Sequence, residues 1–244
     1  MSPGITEAGK ADLRRDPSVD HATLGESHGY EHEAEVMAVR RLLDRLLTGS
    51  RFRTAVDVSG GYGRLSAVLA EYADQVTLVD PSSQKLVLAK QAFPGGLPFR
   101  RRRADAAHLG FPDASIDLVA LVRVLQHLPD PEPELAELSR ILRPGGYAII
   151  EVAKSHHRPR AIERQLAAVG LRPCEVLSVS NLRHPLAKAV LPQTALMAVE
   201  RAAQRPLGQL YIGPSVLFLM RKTGATVPSQ RAAQQGLAPR AGGA

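Results

Sequence analysis

Apolar and polar residues along the chain alternate with two different periods, and each change of period marks a predicted element. Between about residues 29 and 47 the apolar positions follow helical spacing, with an acidic first turn and basic later turns that suit the helix dipole. From residue 54 onward, short apolar runs typical of buried strands alternate with helical patterns. The predicted order is strand 54–58, helix 63–73, strand 76–80, helix 82–92 and an edge strand at 99–103.

The second half of the chain repeats this unit and then departs from it. The predicted elements are strand 117–122, helix 132–142, strand 147–152, helix 159–168, strand 175–179 and a last strand at 215–220. Pro144, Gly145 and Gly146 are a turn signal ahead of the strand at 147. A basic helical insertion at 181–210 interrupts the alternation. The alternation as a whole favours a parallel sheet with helical crossovers.

Both ends of the chain lack apolar periodicity. Residues 1–28 are polar, and residues 223–244 are rich in Ala, Gln, Pro, Gly and Arg, so we interpret them as a disordered arm and a disordered tail. One domain over residues 29–222 is the economical interpretation of a chain of 244 residues that is 44% hydrophobic.

Composition narrows the class of protein. Aromatic residues make up 4% of the chain and Trp is absent, which argues against a stacking platform for single-stranded nucleic acid. The single cysteine, Cys174, has no internal disulfide partner and fits a reducing compartment. No apolar stretch approaches the roughly 18 residues that span a bilayer, and the amino terminus lacks the apolar core of a secretory signal. We therefore expect a cytoplasmic protein without membrane contact.

The net charge of +7 raises the question of nucleic-acid binding. Positive charge is concentrated at Arg100–Arg103 and in the tail from Arg221 onward, whereas residues 1–35 are acidic on balance. A patch that binds phosphates would look like this, but a short arginine run on a solvated surface is commoner. The charge pattern thus argues against nucleic acid as the partner, and an RNA substrate is kept as an alternative.

A glycine cluster between two predicted strands carries the most chemical information. Gly60, Gly61 and Gly63 follow the first strand and precede a helix, and the next strand ends in Asp80. Glycine allows a sharp turn and a close backbone approach to a ligand, while the first N–H groups of the helix stay free to bind. A carboxylate at the tip of the second strand can accept hydrogen bonds from ribose hydroxyls. The pattern predicts a nucleotide-type ligand at the carboxyl ends of two parallel strands.

A nicotinamide-dependent dehydrogenase is one candidate, because the run from Gly61 through Gly63 to Ser66 nearly matches the dinucleotide fingerprint. Three downstream features argue against it. Asp105, followed by a small residue, can receive an adenine amino group; the strand at 117–122 runs directly into a polar turn; and a helix, a Pro-Gly-Gly turn and a strand follow in order.

With these features the chain resembles a class I S-adenosylmethionine-dependent methyltransferase, strongly over residues 30–152 and loosely over 153–222. The resemblance implies an α/β, Rossmann-like, mostly parallel seven-stranded sheet flanked by helices, with the last strand antiparallel and a helical lid insertion. The glycine motif of that family, acid-x-Gly-x-Gly-x-Gly, here begins at Asp57 and ends at Gly63, and its first glycine is replaced by Ser59.

The resemblance also implies site residues and a cofactor, S-adenosylmethionine. Asp80 would receive the ribose hydroxyls, with Pro81 and Ser82 adjoining, and Asp105 and Ala106 would contact adenine. Asp57, Ser59, Gly60, Gly61 and Gly63 would form the loop around the methionine and ribose. Arg123 would lie near the sulfonium, and Tyr30 resembles an aromatic residue of the amino-terminal lid helix in some members.

Three histidines lie where substrate chemistry is expected. His127 invites a general-base role because imidazole titrates near neutral pH, although a histidine here more often orients a loop. His156 and His157 follow the fifth strand at the ligand edge, where they would contact substrate. No set of residues at ligand spacing indicates a metal.

The expected activity is methyl transfer (EC 2.1.1.-) by in-line displacement to the oxygen, nitrogen or carbon atom of a small organic acceptor. Alternatives are an RNA or protein substrate, or a cofactor-binding partner without turnover, which the Ser59 replacement supports. The insertion at 181–210 would cover the acceptor as a lid; a helix that completes the core or forms a dimer contact is the alternative. The oligomeric state is open.

Overall fold

Seven strands form one mixed sheet in this computed structural model, which describes residues 29–47, 49–93, 98–182 and 191–224. In chain order the strands are β1 (Phe52–Val58), β2 (Ala73–Asp80), β3 (Arg100–Arg103), β4 (Ile116–Leu121), β5 (Leu142–Ala153), β6 (Leu171–Val179) and β7 (Ser215–Lys222). Their order across the sheet is β3-β2-β1-β4-β5-β7-β6. Only β7 runs antiparallel to its neighbours, β5 and β6, which confirms the predicted sheet and its reversed last strand.

Helices cover both faces of the sheet. They are α1 (Gly29–Leu46), α2 (Arg64–Leu69), α3 (Ser83–Ala92), α4 (Glu132–Ile141), α5 (Pro159–Ala168) and α6 (Gln193–Gln209), with a 3-10 turn at Leu125–His127. Apolar residues of α1, α2 and α3 belong to the core on one face, and those of α4 and α5 belong to the core on the other. No helix within the described ranges is long and apolar enough to cross a membrane.

The central strands are buried on both faces, which explains their continuous apolar sequences. Every residue of β4 is buried. In β5, Ile149 packs into the core beneath α1, and Ile150 packs into the core beneath α4. The apolar stripe of each flanking helix, for example Leu42 and Leu43 of α1, closes the corresponding layer.

Several observed boundaries differ from the predicted ones; β6, for example, begins at Leu171 instead of 175, and two further differences have a clear local cause. Helix α2 ends at Leu69 instead of continuing to 73, because a tight turn at residues 70–72 leads directly into β2. Strand β5 begins at Leu142 instead of 147, since Pro144–Gly146 form an irregularity within the strand instead of a separate turn. The register moves there from Ile116 opposite Leu142 to Leu118 opposite Tyr147.

The insertion contributes helix α6, which packs on β6 and on α1. Its buried positions recur every four residues at Leu196, Glu200, Gln204 and Gly208. A Cβ atom at Gly208 would lie 2.4 Å from the carbonyl oxygen of Val176, so helix and strand approach as closely as their backbones allow. Residues 183–190 and both predicted disordered segments, apart from Thr223 and Gly224, lie outside the described residues.

Candidate functional site

Strands β1, β2 and β4 end side by side at one edge of the sheet. Val58 pairs with Val79, and Asp57 pairs with Ala120, so the residues that follow these strands are neighbours in space. Asp80 pairs with Arg103, which brings Asp105 to the same edge. In parallel sheets ligands bind outside the carboxyl ends of the strands. The residues predicted from the glycine motif, from Asp80 and from Asp105 therefore share one edge.

The Asp80 carboxylate is fixed by two backbone amides. Gly61 N donates to Oδ2 at 3.1 Å, and Ser82 N donates to Oδ1 at 2.9 Å. Ser82 also caps α3, since its hydroxyl accepts from Lys85 N at 3.3 Å. Asp80 thus ties the glycine loop to the start of α3 while each carboxylate oxygen retains a lone pair for a ligand hydroxyl.

The glycine loop lies on a buried carboxylate. Asp57 is 2% exposed and accepts a hydrogen bond from the Ser66 hydroxyl at 2.7 Å. Burial raises the pKa of Asp57 to about 6, although the Ser66 hydrogen bond opposes the rise. A Cβ atom at Gly63 would lie 2.3 Å from the Phe99 ring, so Gly63 is constrained by packing. At Gly61 a Cβ atom would meet no described atom within 4 Å, which leaves the space above that residue open.

Ser59 occupies a left-handed backbone conformation with φ of 55°. L-residues with a Cβ atom are strained there by about 1 kcal/mol or more, whereas glycine is not. Ser59→Gly is therefore expected to raise the free energy of unfolding by about 0.5–1 kcal/mol, after the larger entropy of an unfolded glycine is subtracted. Urea denaturation of this variant beside Ser59→Ala, which keeps the Cβ and the strain, measures the effect. If Ser59→Ala raised the free energy of unfolding as much as Ser59→Gly, the gain would not come from relief of backbone strain at this position.

Asp105 is exposed and organises its own turn. Its Oδ1 accepts from Ala107 N at 2.8 Å, and its backbone pairs with His108. The described hydrogen bonds of the carboxylate use only this oxygen, so Oδ2 can accept from an amino group. Ala106, 8% exposed, packs into the core beside it.

A polar cluster joins α1 to the ends of β4 and β5. Arg123 follows β4 with φ of 61°, and its Nε donates to Glu35 Oε1 at 2.5 Å. Its backbone N–H donates to Glu151 Oε2 at 3.1 Å. Arg64, the first residue of α2, donates to Glu35 Oε2 at 2.9 Å, and its Nη1 lies 2.5 Å from His32 Nδ1.

The sequence analysis missed four members of this cluster: His32, Glu35, Arg64 and Glu151. A signal was available for two of them. Glu35 lies four residues before Val39, on the buried face of α1, and Glu151 interrupts the apolar run of β5. A carboxylate inside an apolar stripe requires a partner. Nothing in the sequence says that the partner of Glu35 is 88 residues away.

Tyr30 links α1 to the insertion. Its side chain is 3% exposed. The Tyr30 hydroxyl donates to Glu200 Oε2 at 2.5 Å, and the hydroxyl oxygen accepts from Leu182 N at 2.9 Å. Burial, followed by the Glu200 hydrogen bond, raises the pKa of Tyr30 well above its usual range. Glu200 in turn accepts from the amides of Ser180 and Asn181. Contact between Tyr30 and a cofactor stays a prediction.

The three histidines have different surroundings. His157 Nε2 lies 2.7 Å from the carbonyl oxygen of Leu125 and 3.1 Å from that of Leu128; because carbonyls only accept, Nε2 carries the proton. This contact fixes the 3-10 turn that contains His127, whose own side chain is exposed. His156 is exposed, with Nδ1 2.8 Å from the Ser155 hydroxyl. Across the described ranges, no group of three or more His, Cys, Asp or Glu residues could hold a metal ion.

Comparison with known proteins agrees with this geometry. Residues 56–150 match a protein family described as a methyltransferase domain. The chain has the class I methyltransferase fold, and residues 56–150 are the part that matches the methyltransferase-domain family. A 2-methyl-6-phytyl-1,4-hydroquinone methyltransferase of Synechocystis sp. (strain ATCC 27184 / PCC 6803 / Kazusa) is 35% identical over 109 residues, which is 44% of this chain and 33% of the relative.

Solved structures show how general this methyltransferase fold is. A SAM-dependent methyltransferase of Thermotoga maritima aligns over 87% of this chain and 99% of its own, with a TM-score of 0.62 and 19% identity. The [4+2]-cyclase SpnF aligns over 77% of this chain and 82% of its own, with a TM-score of 0.56 and 17% identity. The fold therefore accommodates a cyclase as well as methyltransferases. Since this chain spans about a third of the length of curated relatives at 35% identity, their activities do not transfer with the match.

S-adenosylmethionine is the cofactor that goes with this domain, and the described residues fit it. Asp80 would receive the ribose hydroxyls, Asp105 and Ala106 would contact the adenine, and the open space at Gly61 would admit the ligand against the loop backbone. Asp57 fits as a buried support for the loop, since its carboxylate points away from this space toward Ser66 and Gly60.

Proposed function

We propose that this protein transfers the methyl group of S-adenosylmethionine to a small organic acceptor through an oxygen, nitrogen or carbon atom. The observation that carries the proposal is the Asp80 carboxylate held by the amides of Gly61 and Ser82, facing an open glycine loop. This is a preorganised acceptor for a ribose diol, and its position at the strand ends is that of a nucleotide site.

When bound, the cofactor supplies an electrophilic methyl group on a sulfonium. The residues of this chain position the reactants and exclude water, because in-line displacement needs alignment more than covalent help. Helix α1 closes one side of the site through its cluster with Arg64 and Arg123. A base is required only for a protonated acceptor. His127, being exposed in its turn, stays the proposed base, with His156 and His157 as proposed substrate contacts and His157 also supporting the turn.

Calorimetric titration with S-adenosylmethionine, S-adenosylhomocysteine and NADH tests the cofactor site. Asp80→Asn is expected to weaken both adenosyl ligands by about tenfold or more, because the negative charge is lost and one of the two acceptor oxygens becomes an NH2 donor. Asp74→Asn is the matched control: Asp74 lies on the same strand, exposed and paired with Arg51 at 2.9 Å, near the opposite end. Equal losses in both variants, or binding of NADH alone, would contradict the proposal.

The RNA or protein alternative depends on Arg100–Arg103, which form the exposed edge strand β3. Three of these guanidinium groups bind carbonyl oxygens of the chain itself: Arg101 that of Leu86, Arg102 that of Gly110 at 2.9 Å and Arg103 that of Pro81 at 3.0 Å. These contacts favour a structural role for the run.

The alternative of a cofactor-binding partner without turnover has a test of its own. It would be supported by adenosyl binding with no methyl transfer across a panel of phenols, hydroquinones, carboxylic acids and amines.

Acceptor selection by the insertion at 181–210 is part of the same proposal. Large apolar side chains are exposed in and after α6, including Val199 at 47% and Ile212 at 47%. If they cover an acceptor, Val199→Ser should raise the acceptor KM several-fold without changing cofactor affinity or stability. An unchanged KM would contradict the lid, and the role of α6 would then be its packing on β6 and α1.

A further inference from the structure

Helix α6 has its polarity reversed relative to an ordinary surface helix. A surface helix turns its apolar stripe to the core and its polar side to water. The buried row of α6 instead includes two polar side chains, Glu200 and Gln204. An outer row of exposed residues at helical spacing is apolar throughout. Its members are Val199, Ala202, Pro206 and Leu210. Contact with water alone does not explain this outer row.

The outer row continues into the turn that follows the helix. Leu210 is 67% exposed, and Ile212 is 47% exposed. Tyr211 lies between them and is anchored: its hydroxyl donates to Glu163 Oε2 at 2.7 Å, and its ring centre lies 5.9 Å from that of Phe218. Because Tyr211 is anchored, the turn holds Leu210 and Ile212 in solvent as a fixed pair.

Exposed apolar side chains are concentrated on this part of the surface. Among the described residues five large apolar side chains are exposed, and four of them lie in or beside α6, between Leu191 and Ile212. The fifth, Val87, lies on α3, which packs on β2 and β3 at the opposite end of the sheet. Single exposed apolar residues need no explanation, whereas a cluster marks an interaction site. We call the outer row together with Ile212 the apolar patch.

The apolar patch reaches the edge of the sheet that carries the candidate cofactor site. Its turn leads into β7, whose first residue, Ser215, pairs with Ala153 at the carboxyl end of β5. Lys154 N donates to Pro214 O at 3.0 Å, and Lys154 Nζ donates to Tyr211 O at 2.9 Å. The turn therefore lies beside the carboxyl end of β5, at the edge where β1, β2 and β4 end.

The sequence that contains the apolar patch is strongly basic. Residues 152–244 include thirteen Lys and Arg residues and three acidic residues, the last of which is Glu200. The rest of the chain is acidic on balance, since the net charge of the whole is +7. Positive charge is thus concentrated in the part of the chain that exposes the apolar side chains.

Cations also outnumber carboxylates around the patch itself. Among the described residues five cationic side chains lie on α6 or contact α6 or its turn: Arg41, Lys154, Arg160, Arg201 and Arg205. Three carboxylates contact the same elements: Glu33, Glu163 and Glu175. Glu200 is fully buried beneath the helix. The surface that surrounds the patch is therefore positive on balance.

We propose that the apolar patch and its flanking cations form a docking surface for an anionic lipid bilayer. Apolar side chains enter the boundary between head groups and acyl chains, and Lys and Arg meet the anionic head groups. A second copy of this chain would bring two positive regions together, which opposes dimerisation through the patch. A nucleic acid duplex offers phosphates but little apolar surface. An anionic bilayer meets both the charge and the apolar area.

The docking surface differs from the expectation of no membrane contact. That expectation depended on the lack of a spanning segment, and a peripheral surface needs none. The docking surface goes beyond the proposed function and does not depend on it. Coverage of an acceptor by Val199 is separable from lipid contact, because it changes KM in the absence of vesicles.

Co-sedimentation of the full chain with two kinds of vesicle tests the docking surface. One kind is phosphatidylcholine alone, and the other is one part phosphatidylglycerol to two parts phosphatidylcholine. The wild-type chain is expected to partition onto the anionic vesicles at least about tenfold more strongly than onto the neutral ones. Leu210→Ser combined with Ile212→Ser should weaken this partitioning about tenfold, since two apolar side chains no longer enter the interface. Arg201→Gln should weaken it about fivefold and reduce its dependence on salt.

Val87→Ser and Arg100→Gln are the matched controls. Val87 is 52% exposed on α3, and Arg100 is exposed on the edge strand β3, so both lie at the other end of the sheet. Both variants should partition as the wild type does. Circular dichroism melts show whether each variant is folded, and Arg201→Gln keeps the test available if the double variant is not.

Several outcomes would overturn the docking surface. Wild-type protein that binds neither kind of vesicle, or both equally, would do so. Equal losses in Arg201→Gln and Arg100→Gln would assign the binding to net charge instead of this surface. Sedimentation velocity without vesicles tests the other occupant: a dimer that the Leu210 and Ile212 substitutions dissociate would show that a second copy covers the patch.

Discussion

Glu151→Gln is expected to raise the free energy of unfolding by about 2–3 kcal/mol at pH 8 and to change it little at pH 4. Glu151 is 6% exposed at the end of β5. Burial, and then the negative charge of Glu35, raise its pKa to about 7 against the attraction of Arg123. The neutral form is therefore favoured in the folded protein, and glutamine resembles that form.

The sign of the pH dependence follows from the two pKa values of Glu151. The carboxyl titrates near 4.5 in the unfolded chain and near 7 in the folded one. Below pH 4.5 both states are protonated and burial of the carboxyl has no ionisation cost. As the pH rises from 4.5 to 7, the unfolded state ionises first and stability is lost; above pH 7 the loss is complete. This shift in the pKa of Glu151 corresponds to about 3 kcal/mol of lost stability. The amide in Glu151→Gln would recover less than that if its hydrogen bonds in the folded protein were imperfect.

Urea denaturation of wild type and Glu151→Gln at pH 4, 5, 6, 7 and 8 measures this difference. Glu132→Gln, exposed in the first turn of α4, is the control and should follow wild type. Both variants keep the separate dependence from buried Asp57, whose pKa of about 6 produces a similar loss between pH 3.8 and 6. A constant difference between Glu151→Gln and wild type at every pH would show that the effect comes from packing and not from ionisation.

The fold was predictable from the sequence because its layers depend on local periodicity. Helix α5 has the predicted limits, 159–168, since proline begins it and glycine follows it. The irregularity in β5 was not predictable from the same signals. Pro144, Gly145 and Gly146 indicate a break in regular backbone, and only the pairing with β4 decides whether that break is a turn or a bulge.

The two halves of the candidate site differ in what the sequence reveals. The half formed by backbone is encoded within a few residues, since the glycine loop and Asp80 are joined by one strand–helix–strand unit. The half formed by side chains of α1 depends on how a distant helix docks. Glu35 lies on the apolar face of α1, which indicates that it needs a partner, but only the packing of α1 shows that the partners are Arg64 and Arg123. The Tyr30–Glu200 contact, 170 residues apart, has the same origin.

Gly60→Ala is expected to lower the free energy of unfolding by about 3 kcal/mol or more, the largest single effect among these variants. A Cβ atom at this position would lie 2.3 Å from Asp57 Oδ2 and 2.4 Å from Leu78 Cδ1. Neither neighbour can withdraw into solvent, since Asp57 is 2% exposed and Leu78 is fully buried. The loop would have to lift, which would weaken the hydrogen bond of 3.3 Å from Gly60 N to Val79 O.

Gly61→Ala is the matched control for Gly60→Ala. Its new Cβ would meet no described atom within 4 Å, although φ of 61° strains it by about 1 kcal/mol. It should therefore fold with a modest loss of stability, yet lose S-adenosylhomocysteine binding, because its methyl group occupies the space assigned to the ligand. Urea denaturation and calorimetric titration of both variants separate the two roles. A Gly60→Ala variant as stable as wild type would show that the loop does not rest on Asp57, and a Gly61→Ala variant with full affinity would show that the ligand does not approach there.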